Sequence, residues 1–85
     1  MYIVTIDDEA QHQLSALPAA ALPAYAEART TLTLMPWSGV AYNQAKPRSP
    51  MRQLMFGHGQ GMITYLIVEL ENELRVDVLR VWWAG

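Results

Sequence analysis

Four cations and one glycine-flanked histidine are the groups in this sequence best suited to chemistry. Arg80 interrupts the apolar set Leu74, Val76, Val78 and Trp82, which strict alternation places on one face of a C-terminal strand. A long cation there must either find a carboxylate or reach into a groove. Lys46, Arg48 and Arg52 flank the start of the sheet and could meet Arg80 on one surface. Four converging cations would suit a phosphate backbone. The other arrangement pairs Arg80 with Glu69 or Asp77 and leaves the rest scattered.

His58 lies in Gly57-His58-Gly59-Gln60-Gly61. That run lacks the Lys-Ser/Thr ending of a phosphate loop and opens no helix, so it reads as a hairpin turn. A histidine at its tip is a residue type suited to general acid–base work. Tyr65 is the one phenol in the strand that follows. His12 falls on the polar side of a helix and reads as solvated, while Asp7, Asp8 and Glu9 read as acids at a helix start. Ser15, Ser38 and Ser49 have no neighbouring histidine–acid pattern. Cysteine is absent, which removes disulfides, thiol catalysis and Cys-ligated zinc. Neither a metal site nor a cofactor is expected. The pair Trp82-Trp83 must point to opposite faces of a strand, so the two rings are candidates for an interface with a partner or a second copy.

These groups must be positioned by a single small domain of 85 residues, 52% hydrophobic and 16% charged, which argues against disorder. A formal net charge of −2 excludes a strongly cationic coat for nucleic acid, though not a local basic patch. The apolar runs near the C-terminus, such as Leu66 to Val68, are too short to span a bilayer. The start, Met1 to Asp8, has no basic region before its acids and predicts no signal peptide; a soluble cytoplasmic protein is expected.

Tyr2 to Ile6 predicts a strand. Asp7 and Asp8 offer a helix N-cap, Ala10, Leu14 and Leu17 form one stripe, and Pro18 stops the helix. Pro23 suits the first turn of a second helix, whose stripe is Tyr25, Ala28, Leu32 and Met35 and which ends before Pro36. Residues 37–50 read as loop. Met51–Phe56, Met62–Leu70 and Leu74–Trp83 read as strands, the middle one apolar on both faces and so expected to be covered on both sides. The expected fold is α+β: a strand, a helical hairpin on one face, then a three-stranded antiparallel meander, with the first strand joining at an edge.

In this layout the chain resembles the RelE/ParE superfamily of toxins from bacterial type II toxin–antitoxin modules. The resemblance rests on Tyr2-Ile3-Val4, on Leu17-Pro18, and on Met35-Pro36-Trp37-Ser38-Gly39. It continues through Met51-Arg52-Gln53-Leu54 with the Gly57–Gly61 turn, and through Val76-Asp77-Val78-Leu79-Arg80-Val81-Trp82-Trp83. It covers nearly the whole chain, as one domain over residues 1–85.

The resemblance implies a toxin held silent by a cognate antitoxin, as a dimer or a toxin–antitoxin heterotetramer. RelE-like members enter the ribosome and cut mRNA; ParE-like members inhibit DNA gyrase and need no nuclease site. For the nuclease, Arg80 and Arg52 match basic positions of the family. Lys46 and Arg48 lie where ribonuclease members place lysines, and Tyr65 and His58 are the available acid–base groups. The chain departs from the family after its last strand, where Trp82-Trp83-Ala84-Gly85 replaces the usual histidine or tyrosine with further arginines. That departure, with the acidic charge, points to the alternatives of a gyrase inhibitor or a catalytically inactive relative that keeps its antitoxin surface.

Overall fold

β-Branched residues in Ile3–Ile6 build strand β1, and Asp7 then turns the chain into helix α1 (Asp8–Ser15). The computed structural model describes residues 1–85. Asp7 holds the N-cap position without a side-chain capping bond; its backbone N–H donates to the carbonyl of Val78 at 2.9 Å. Asp8 and Glu9 follow in the first turn, where negative charge complements the helix dipole. A short 3-10 turn, Ala19–Ala21, leads into α2 (Leu22–Leu34), with Pro23 in its first turn. Tyr25, Ala28 and Leu32 are buried as the expected stripe. Met35 is not part of it: it lies past the helix end, at φ −143° and ψ 64°, because it precedes Pro36, and it is 62% exposed.

Strands β3 (Met51–Phe56), β4 (Gly61–Leu70) and β5 (Glu73–Trp83) run antiparallel in succession. The sheet is larger than the expected meander. It is mixed and five-stranded, in the order β1-β5-β4-β3-β2, with β1 parallel to β5 at one edge. The other edge is β2 (Val40–Ala41), paired antiparallel with Gln53 and Arg52 inside the segment read from sequence as loop. Two residues are too few to show a periodicity, and the pairing is set by β3 rather than by local preference.

Both helices contribute to one core on one face of the sheet. Ala10, Tyr25, Ala28 and Leu32 pack with Phe56, Ile63, Tyr65, Ile67, Val76, Val78 and Val81. This corrects the expectation that β4 is covered on both sides, since Met62, Leu66 and Val68 on its other face are only half-buried.

A β-bulge decides what each end of β5 presents. Tyr65 pairs with Val78 and Thr64 with Arg80, so Leu79 is inserted and the alternation shifts by one. Val76 and Val78 face the core before the bulge, and Val81 joins the same core after it, with Trp83 packed against it. Arg80 and Trp82 therefore leave the face that simple alternation assigns them. Beyond the end of β1, α1 packs along β5, and Gln13 Oε1 accepts the Val81 N–H at 2.6 Å in place of a strand carbonyl.

Candidate functional site

The bulge brings Arg80 onto the open face of the sheet, where it lines a groove of about 410 Å³. Gln53 of β3 and Thr64 of β4 bring polar side chains to its lining, Tyr42 and Trp82 aromatic rings, and Glu9 of α1 a carboxylate. Met51, Met62 and Leu79 complete the lining. A second recess of about 280 Å³ continues past Arg80 and Trp82 to Gln13 and Pro18 at the end of α1.

Arg80 is exposed and makes no ion pair. Both salt bridges of the chain belong to Arg75, which reaches Asp77 at 2.6 Å and Glu73 at 2.7 Å. Thr5 Oγ1 also donates to Asp77 at 2.6 Å. Glu69, the other carboxylate considered for Arg80, instead accepts from the Tyr2 hydroxyl and from Trp37 Nε1. Those two bonds hold the Glu69 carboxyl below its usual range, the tyrosine bond contributing most.

The hydrogen bond from Arg75, and then that from Thr5, hold Asp77 below the ordinary aspartate value despite its partial desolvation. A depressed folded-state pKa contributes stability that is present above about pH 3.9 and lost as pH falls through the lower folded value. The urea midpoint should therefore drop between pH 5 and pH 2.5, and drop less in Asp77→Asn. Equal drops in the two proteins would remove Asp77 from that account.

The four cations do not converge. Arg52 sits on the helix-facing side of β3, 8% exposed, and its guanidinium donates to backbone carbonyls only. These are Gly39 at 2.6 Å, Pro47 at 3.1 Å, Ser49 at 3.2 Å and Trp37 at 3.5 Å. The Trp37 ring lies under it, 5.1 Å from the guanidinium carbon. Lys46 and Arg48 are exposed in the 42–50 segment and do not line the groove.

The acid–base candidates separate in the same way. Tyr65 is fully buried and donates its hydroxyl to the Pro36 carbonyl at 2.6 Å; burial raises its pKa. Gly39 must be glycine beside it, because a Cβ there would stand 2.2 Å from that hydroxyl. His58 occupies the tip of the β3–β4 turn in a left-handed conformation, φ 58°, exposed and outside the groove. Trp82 is 47% exposed over the groove, whereas Trp83 is partly buried, packs against the core and also borders the second recess. It stacks on Phe56 at 5.6 Å and 29°, beside Gly57 at φ 62°.

Sequence reasoning missed Glu9, Tyr42, Gln53 and Thr64 as members of a site. Gln53 and Thr64 carry a legible signal: each is a polar residue within a largely apolar strand, and they stand opposite each other in the β3–β4 register. No cluster of three histidine or carboxylate groups that could hold a metal ion is present. Comparison with protein-family models, with curated proteins and with solved structures finds no match to the chain.

Proposed function

We propose that this chain is a RelE/ParE-like toxin of a toxin–antitoxin pair, arresting translation through the open-face groove around Arg80. The observation that carries the reading is an exposed arginine without a carboxylate partner, in one groove with two aromatic rings and two side-chain hydrogen-bonding groups. That set matches single-stranded RNA: a cation for phosphate, rings for stacking, and polar groups for base edges. The succession of a strand, two helices and the antiparallel strands β3, β4 and β5 supports it, although the resemblance implies only three strands after the helices and β2 is an addition at the edge.

RNA cleavage without a metal needs a base for the 2′-hydroxyl, an acid for the leaving oxygen and positive charge for the phosphorane. Arg80 supplies the charge, and Glu9 is the carboxylate at the groove. A cognate antitoxin would silence the protein by covering this face, in the cytoplasm where ribosomes are met. The second reading is a gyrase-directed toxin that works by binding alone. It is favoured by the structural employment of Arg52 and Tyr65, which leaves fewer groups for catalysis.

The test is induction of the chain in bacteria without a partner, with methionine and thymidine incorporation followed in the first minutes. An early fall in methionine incorporation, with cut mRNA, is the expected result. Arg80→Ala should reduce the cutting by roughly 100-fold or more, the scale set by loss of one transition-state charge donor. An early fall in thymidine incorporation instead would move the target to gyrase.

A further inference from the structure

We propose that the recess beside the end of α1 binds a small carboxylate carried on an apolar body. The recess has a volume of about 280 Å³ and is bordered by Gln13, Leu17 and Pro18 from the α1 end and by Arg80, Trp82 and Trp83 from β5. Its free polar groups are donors. Gln13 Oε1 accepts the Val81 backbone N–H at 2.6 Å, and a backbone N–H can only donate, so the carboxamide has one orientation and Nε2 is its free end. Neither Gln13 Nε2 nor the Arg80 guanidinium makes a hydrogen bond or an ion pair within the chain. Trp83 carries a further donor without an acceptor, an indole N–H that is buried and unpartnered.

What these donors lack is an acceptor. No aspartate or glutamate borders the recess, whereas the neighbouring open-face groove has Glu9. The last carbonyls of α1 are already taken: those of His12 and Gln13 accept from the Ala16 N–H, and that of Leu14 from the Leu17 N–H. A carboxylate brings two acceptor oxygens and a negative charge to a guanidinium fork and an amide N–H, and charge-assisted bonds of this kind are the stronger class. Leu17, Pro18 and the Trp82 ring provide an apolar wall, which a bare inorganic anion would leave unused. The volume lies just under the range usual for drug-sized ligands, which limits the body to a single ring or a short chain. This site does not depend on RNA binding in the groove. Because Arg80 borders both spaces, a carboxylate held in the recess would draw its charge away from the groove.

The test is titration of the ¹⁵N-labelled protein with benzoate, with its neutral counterpart benzamide and with acetate, reading the Gln13 and Gln53 side-chain amides and the Trp83 indole. Benzoate should move the Gln13 and Trp83 signals, and benzamide should need a roughly tenfold or higher concentration, the scale of one charge-assisted hydrogen bond. Acetate, which has the charge without the ring, should also need roughly tenfold more. Gln13→Glu keeps an oxygen for the Val81 N–H and replaces the free amide nitrogen by a repelling oxygen. It should abolish the benzoate response while leaving the melting curve in place. Arg80→Gln should weaken benzoate roughly tenfold or more, and it keeps the test decisive if the Gln13 variant does not fold.

Equal responses to benzoate and benzamide overturn the proposal, as does an unchanged benzoate affinity in Arg80→Gln. Movement of the Gln53 amide without that of Gln13 places the ligand in the open-face groove and overturns it too. So does the absence of any response to benzoate. None of these results bears on the toxin reading, which is judged by the incorporation experiment.

Discussion

Arg52→Met is expected to destabilise the fold by about 3 kcal/mol or more, because it strips donors from several backbone carbonyls at once. The guanidinium is buried and is spent on Gly39, Pro47, Ser49 and Trp37, carbonyls that have no strand partner of their own in an irregular segment. Each buried acceptor left unpaired costs about 1–3 kcal/mol, and the Gly39 carbonyl is the most enclosed. For a domain of this size that loss lowers the melting temperature by roughly 12–24 °C. Arg52→Lys should rescue only part of it, since a single ammonium cannot reproduce a planar fork of donors. Thermal unfolding followed by circular dichroism checks both variants. A phosphate-holding Arg52 would behave in the opposite way, with toxicity lost and the melting curve unmoved.

Trp83→Ala should cost about 3 kcal/mol, the low end of the range for truncating a large aromatic in a core. The ring stacks on Phe56, which in turn meets Tyr25 edge-on at 5.9 Å, so it closes one end of the helix–sheet core. It also lies against Gly57, where a positive φ and a would-be Cβ 2.7 Å from the indole leave no room for adjustment. Its indole N–H is buried without a partner, a cost that Trp83→Phe would relieve, so phenylalanine should recover most of the stability. Trp82→Ala, by contrast, should change stability by less than about 1 kcal/mol and act instead on binding in the groove. Equal melting-temperature losses at the two positions would contradict the division of roles that the bulge creates.

The difference between these neighbouring tryptophans marks the limit of what periodicity can tell. Alternation along Leu74, Val76, Val78, Arg80 and Trp82 is a sound rule for an unbroken strand, and it fails here by one inserted residue, Leu79. Nothing local to Leu79 announces a bulge; the register is imposed by β4 across the sheet. The same holds for β2, whose two residues become a strand because β3 is beside them. Arg52 is a further instance. A basic residue next to a loop with Lys46 and Arg48 reads as part of a cationic surface, whereas the folded loop offers it carbonyls instead of phosphates.

Local chemistry was enough to determine the elements other than β2. Pro18, Pro23 and Pro36 punctuate the helices, β-branched residues mark β1, and the glycine-rich run from Gly57 to Gly61 makes the hairpin that lets β3 and β4 pair. The buried stripe Tyr25, Ala28 and Leu32 of α2 also follows from spacing alone, because burial repeats with the period of the helix. Which of two faces a residue occupies, and whether a cation is free or already employed, depend on pairing between segments far apart in the chain. Only the tertiary structure decided that Arg80 and Trp82 open onto a groove with Gln53 and Thr64, and that Arg52, Tyr65 and Trp83 belong to the framework beneath it. Sheet register and hydrogen-bond satisfaction are long-range properties, and a sequence read in local windows contains neither.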